Sequence, residues 1–276
     1  MILFNDIKKY FPQQLNSKIF ARNMIKEYLQ YEALDYIFKS NYANDLAFIG
    51  GSCLRILHNI KRFSDDLDFD ILTEKYSSKN HKNIIEDLCA AFKKKGFVAD
   101  YTFKEKNDRF ETMDGKLIFK GTEYKMGVSQ DPRKVIHIKI QAQSQGYKYN
   151  PEIKMIDKFG VQSYIKAMPL EQIFASKLFV CAQRAKGRDY YDLVELAAYA
   201  KAAPGFVKQK FKEIGVKINS SEDVKKQILK QLEKVDLNEK INEISRFVFD
   251  KNDIQKVKNF PDWIRQKDFS TLMAEK

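Results

Sequence analysis

Residues 46–71 read LAFIGGSCLRILHNIKRFSDDLDFDI, and no other stretch restricts the fold as much. Leu46, Ala47, Phe48 and Ile49 form a short apolar run of the kind that fills a buried strand. Gly50 and Gly51 follow, where the backbone can turn sharply and let a ligand approach closely. Ser52 is placed to cap a helix that starts near Cys53. The free amides of a helix start favour phosphate oxygens. The chain then reads Asp66-Leu67-Asp68-Phe69-Asp70-Ile71. Strand side chains alternate between faces, so Leu67, Phe69 and Ile71 share one face and Asp66, Asp68 and Asp70 the other. Carboxylates held side by side repel unless a cation sits between them. Mg²⁺ (or Mn²⁺) suits that place, because it takes hard oxygen ligands and commonly uses one or two carboxylates plus substrate phosphates. Taken singly, a Gly-Gly turn and a strand with alternating aspartates are ordinary structure. In this order they predict a site that binds a divalent metal and a nucleoside triphosphate.

The same residues carry a resemblance. GGS followed by DLDFD resembles the signature of the DNA polymerase β-like nucleotidyltransferase superfamily. The fuller run GGSCLR…RFSDDLDFDI is similar to the AbiEii toxin family, with Arg62, Ser64, Asp66, Asp68 and Phe69 falling on its R-x-S-x-D-x-D-F block. A later run, Lys177 to Leu193, reads KLFVCAQRAKGRDYYDL and resembles that family's helical K…R…RD-x-x-DL block. The likeness extends from about residue 46 to about residue 195. It implies an α/β (α+β) nucleotidyltransferase fold: a mixed β-sheet with flanking helices, followed by a helical C-terminal region.

Composition agrees with a soluble globular chain. It has 276 residues, 44% hydrophobic and 31% charged, enough to bury a real core. The formal net charge of +12 favours polyanionic partners, or reflects lysines spread for solubility along the whole chain. Cys53, Cys89 and Cys181 are far apart and show neither zinc spacing nor a disulfide framework, which predicts a reducing cytoplasm. No apolar run approaches the length of a membrane span, and the N-terminal MILFNDIKKYF is too short for a signal peptide. His58, His81 and His137 have no metal-ligand spacing and read as ordinary surface or core residues.

Periodicity sketches the rest. Residues 17–40 have a helical pattern with Ile19, Met24, Tyr28, Tyr31 and Leu34 available for packing. Residues 80–95 read as a second helix ended by Gly96. Phe97–Phe103, Lys116–Phe119 and Val135–Gln143 read as strands, with Asp114-Gly115 as a hairpin signal between two of them. After Pro151 the pattern turns helical. Pro169 can open one helix, which Gly187 can end. A second helix would run from Tyr190 to about Ala202, and Asn219-Ser220-Ser221 reads as a loop and cap. The expected organisation is a nucleotidyltransferase core with its N-terminal helix over 1–150 and a helical domain over 151–276.

Two further positions bear on chemistry. Lys177 lies on the apolar stripe made by Leu170, Ile173, Phe174, Leu178 and Cys181, where a lysine either snorkels to solvent or enters a site. The resemblance implies that it meets nucleotide phosphates. Arg184, Arg188, Asp189 and Asp192 surround the next turn. Asp189 can cap the helix from Tyr190, and the resemblance favours Asp192 as the site residue. The superfamily also places a further acid on a neighbouring strand, at the position of Gln141, which cannot accept a proton at neutral pH. Asp70 or an acid elsewhere substitutes, or transfer needs no base, since phosphoryl-type transfer relies mainly on positioning and charge.

The expectation is therefore an enzyme. Asp66, Asp68 and Lys177 are its catalytic residues. Asp66 and Asp68 hold the metal. Gly50, Gly51, Ser52, Arg62, Ser64, Lys177 and Asp192 hold the nucleotide. The resemblance implies RNA, with tRNA first, as the acceptor, a toxin-like role, and an antitoxin protein as a possible partner. A small-molecule or protein acceptor is one alternative. A catalytically weak nucleotide- or nucleic-acid-binding protein is another.

Overall fold

A computed structural model describes residues 2–15, 17–105, 112–184 and 186–273, and it divides into two units. The first comprises Met1–Gly146 and Asn150–Met168; the second comprises Tyr147–Tyr149 and Pro169–Lys276.

In the first unit the chain runs through α1 (Phe4–Lys8), α2 (Lys18–Lys39), β1 (Leu46–Ile49), α3 (Gly50–Leu57) and β2 (Leu67–Ile71). It continues with α4 (Ser78–Lys94), β3 (Val98–Glu105), β4 (Met113–Lys120), α5 (Thr122–Lys125), β5 (Val135–Gln143), β6 (Glu152–Lys158) and β7 (Val161–Ala167). The strands form one mixed seven-stranded sheet in the order β3-β4-β5-β2-β1-β7-β6. β1 lies antiparallel to β2 and parallel to β7, and β2 lies parallel to β5.

Alternation fixes how the sheet is covered. Ile136, Ile138, Ile140 and Ala142 of β5 are buried, whereas His137, Lys139, Gln141 and Gln143 between them are not. One-sided burial of this kind asks for a single helical layer. α2 supplies part of it, with Phe38 against Phe69. α4 supplies the rest, with Ile85 occupying the space a side chain at Gly115 would need. Leu67 of β2 and Gly115 of β4 both stand opposite Ile140, so the two helices lie on the same face. The other face carries Asp68, Gln141 and Asp114.

Several expectations hold: the helix over 17–40, the helix ended by Gly96 (φ +86), and the strand Val135–Gln143. Ile19, however, is 73% exposed and does not pack. Asp114-Gly115 lies inside β4 instead of forming a turn; Gly115 is there because Ile85 takes its side-chain space. The connection expected to turn at that point falls at residues 106–112, of which 106–111 lie outside the described residues. The stretch after Pro151 is not helical but forms the β6–β7 hairpin, turning at Phe159 (φ 61) and Gly160 (φ 78). Two consecutive positive φ values make the tight turn whose twist suits a hairpin. Phe159 is not a residue that favours this conformation; its ring packs against Tyr10, Phe11, Tyr28 and Tyr31, and that contact holds it.

The second unit is helical: α6 (Leu170–Gln183), α7 (Gly187–Leu196), α8 (Pro204–Glu213), α9 (Ser221–Leu232), α10 (Leu237–Ile244), α11 (Ile254–Lys258) and α12 (Phe260–Gln266). Pro169 precedes α6 and Ser220 caps α9 through a capping box with Asp223, as read from the sequence. Gly187 does not end a helix; it opens α7, where the Lys240 carbonyl of α10 occupies the place of a side chain. α7 stops at Leu196, short of Ala202, and Asp189 lies within it instead of capping a later start. Among the described residues no helix is long and apolar enough to cross a membrane. Cys53, Cys89 and Cys181 are all buried and unbridged.

Candidate active site

The glycine turn and the aspartate strand meet. Ile49, the last residue of β1, pairs with Asp68 of β2. Gly50 follows with φ +79, a conformation that is costly for any residue with a Cβ. A Cβ at Gly50 would stand 2.5 Å from Asp68 Oδ2. The Asp68 carboxylate therefore lies directly against the turn, in space that only glycine leaves open. Gly51 is equally confined: a Cβ there would stand 2.9 Å from both Arg62 Nη2 and Ser64 Oγ. The two glycines are thus a cradle, with Asp68 beside one and Arg62 and Ser64 beside the other.

Ser52 does not cap α3. Ile49 is the N-cap residue, and Ser52, fully buried, donates its hydroxyl to the Asp66 backbone carbonyl. That bond ties α3 to the residue just before β2. Asp66 and Asp68 are both partly buried, Asp68 within β2 and Asp66 immediately before it. Asp70 is 2% exposed and accepts the Gln145 backbone N–H at 2.7 Å, so its carboxylate is committed to the end of β5. Arg62 is 1% exposed and donates to the Phe63 carbonyl at 2.8 Å; its guanidinium lies beneath Gly51.

α2 supplies a clamp that the sequence did not reveal. Gln30 donates to the Ser64 carbonyl at 2.9 Å and Lys26 pairs with Asp65 at 2.6 Å, so one helix face holds the loop that leads into β2. Glu27, 2% exposed, takes Arg55 of α3 through both oxygens, at 2.9 and 3.1 Å, and Lys158 at 2.7 Å. Burial lowers the Lys158 pKa while Glu27 opposes that shift. Lys26, Glu27 and Gln30 lie within about one turn of α2, and nothing local in their spacing marks partners so distant in the chain.

Gln141 of β5 pairs with Asp68 on one side and with Asp114 of β4 on the other. Gln141 Nε2 donates to Asp114 Oδ1, and Lys139 Nζ lies 3.2 Å from the same oxygen. Among the described residues no group of three or more Asp, Glu, His or Cys is disposed to hold a metal. The donors suited to a hard cation are the two carboxylates Asp66 and Asp68. That number fits Mg²⁺, which usually completes its shell from phosphates and water.

In the second unit Lys177 is buried, as its place on the apolar stripe indicated. It does not snorkel. Its Nζ lies 2.9 Å from Asp189 Oδ1 and 2.7 Å from Asp192 Oδ2, with Arg184 Nε 3.3 Å from Asp189 Oδ2. Lys177, Asp189 and Asp192 of the helical block form a buried ion cluster, with the half-exposed Arg184 at its edge. Arg188 pairs with Glu243 at 3.5 Å and lies over the Phe247 ring.

A sequence model of the nucleotidyl transferase AbiEii toxin of type IV toxin–antitoxin systems matches residues 32–273. No curated protein matches the chain. Solved structures that share the fold include two bacterial proteins. MenT4, a nucleotidyltransferase toxin from Mycobacterium tuberculosis H37Rv, superposes with a TM-score of 0.54 at 15% identity, covering 97% of this chain and 91% of that one. JHP933 from Helicobacter pylori superposes with a TM-score of 0.52 at 18% identity, covering 88% and 92%. With the glycine cradle, the paired aspartates and the buried Lys177 cluster all lying inside the matched residues, the chain belongs to the AbiEii family of nucleotidyl transferase toxins.

Proposed function

We propose that the protein transfers a nucleoside monophosphate from a nucleoside triphosphate to a hydroxyl of RNA, with tRNA as the first candidate, and that Asp66 and Asp68 hold the divalent metal. The observation that carries this reading is the Asp68 carboxylate set against the Gly50 turn. In the reaction the acceptor oxygen forms a bond to the α-phosphorus, the bond from that phosphorus to the bridging oxygen breaks, and pyrophosphate departs while the hydroxyl proton passes to solvent. Bound at Asp66 and Asp68, Mg²⁺ supplies charge neutralisation to the triphosphate and its leaving group. The turn at Gly50 and Gly51 lets the phosphate chain approach the backbone, and Ser64 offers a hydroxyl beside it. Ser52 and Arg62, both buried, act by fixing the turn to the residues around β2. The net charge of +12 supports a polyanionic acceptor. Type IV toxin–antitoxin membership supports an antitoxin counterpart, and the unbridged cysteines support a cytoplasmic site of action.

A second reading, a nucleotide binder with little turnover, is favoured by Gln141, which offers no proton acceptor opposite Asp68. Incubation with Mg²⁺, each labelled nucleoside triphosphate and total RNA separates the two. Labelled RNA and released pyrophosphate, both lost in Asp66→Ala and Asp68→Ala, support transfer. Nucleotide binding without pyrophosphate supports the second reading. Label on protein or on a small molecule alone replaces RNA as the acceptor.

A further inference from the structure

Asp68, Gln141 and Asp114 form one row across three neighbouring strands, β2, β5 and β4. Residues directly opposite in register share a face, and neighbouring strands lie about 4.8 Å apart, so each side chain meets the next. The amide of Gln141 has two ends with opposite chemistry: an oxygen that accepts and a nitrogen that donates. A carboxylate only accepts. Asp114 therefore selects the nitrogen end, and Gln141 Nε2 donates to Asp114 Oδ1. Lys139 Nζ lies 3.2 Å from the same oxygen and adds a second contact that fixes the Asp114 side chain. That leaves the oxygen end of the amide as the one available to the remaining neighbour in the row, Asp68, which stands opposite Gln141 in register.

We propose that Asp114 is a positioning residue, and that through Gln141 it presents a neutral amide oxygen to the cation held at Asp66 and Asp68. This rests on the metal site of the reading above and adds a third oxygen donor to it. It also gives the glutamine a reason. A glutamate in its place would stand between two aspartates, Asp68 and Asp114, whereas the amide donates to one and offers an oxygen beside the other.

Mn²⁺ titrated alone into the full chain, followed by loss of its free electron-paramagnetic signal, tests the assignment. Asp68→Asn sets the background from other carboxylates. In Asp114→Asn the partner of Gln141 both donates and accepts, so the amide is no longer held one way round. Orienting partners of metal ligands are typically worth about ten- to a hundredfold in metal affinity. We expect a loss of that size above background, at unchanged melting temperature. The reversed pair, Asp114→Asn with Gln141→Glu, restores an oriented contact: the introduced asparagine donates to the introduced carboxylate, whose second oxygen faces Asp68. It should regain affinity that the single variant loses. Wild-type affinity in Asp114→Asn, or a reversed pair as weak as the single variant, overturns the positioning role alone. A wild type that binds Mn²⁺ no better than Asp68→Asn overturns the metal site and this inference with it.

Discussion

Gly50→Ala puts the geometry of the turn to a quantitative test. Two costs are separable. The first is conformational: φ at Gly50 is +79, and an L residue in the left-handed region loses about 1–2 kcal/mol. The second is steric. The new Cβ would stand 2.5 Å from Asp68 Oδ2, and real Cβ contacts stay beyond 3.0 Å, so the carboxylate must retreat by at least the difference. Productive sites tolerate about 0.5 Å of misplacement, and an error of about 1 Å can cost about a hundredfold, so a loss of tenfold or more in transfer is expected. Gly96→Ala is the control. Its φ is +86, yet nothing lies within 4 Å of its Cβ position, so it carries the first cost without the second. Urea unfolding should show a loss of about 1–2 kcal/mol in Gly96→Ala and at least as much in Gly50→Ala, while pyrophosphate release falls only in Gly50→Ala. Equal stability losses with full activity in Gly50→Ala would refute the claim that Asp68 works from its place against the turn.

The remaining expectations concern buried charge and pH. Lys177→Met leaves Asp189 and Asp192 buried without the cation they share, and such a broken pair typically costs about 3–5 kcal/mol. Urea unfolding should show that loss, with much of it recovered when Asp189 and Asp192 are also changed to Asn. His81 donates from Nε2 to the Ile140 carbonyl at 3.1 Å and accepts from Tyr76 at Nδ1, so it is held neutral, and burial pushes its pKa down to about 4. The unfolded chain binds that proton at about pH 6.5. Stability is therefore whole above pH 6.5 and falls by roughly 3 kcal/mol as pH drops toward 4. Unfolding free energies across this range should flatten in His81→Gln; an unchanged slope would show that other groups carry it.

Much of the first unit could be read from the chain because its strands bury one face. The alternation through β5 and the LDFD of β2 carry both the core and the site in their pattern. The β6–β7 hairpin was invisible for a physical reason. Its one face exposes Ile153, Met155 and Tyr164, so burial and hydrophobicity do not coincide there. Its turn is Phe159-Gly160, where the expected signal is Asn-Gly or Asp-Gly, and the phenylalanine is held by aromatic packing from α2 and from Tyr10 and Phe11 of the segment before it. At the site, residue types were legible but roles were not. Ser52 looked like a helix cap and is a strap to Asp66, and the burial of Arg62 beneath Gly51 could not be read from its place in the motif. Their partners are brought near by tertiary structure, as are Lys26, Glu27 and Gln30 of α2.

The most direct test is a crystal structure of the protein with Mg²⁺ and a non-hydrolysable nucleoside triphosphate. The account predicts the ion bonded to carboxylate oxygens of Asp66 and Asp68, with the phosphate chain lying along the Gly50-Gly51 backbone. A triphosphate bound elsewhere, or an ion that leaves Asp68 without a bond to it, would contradict the account.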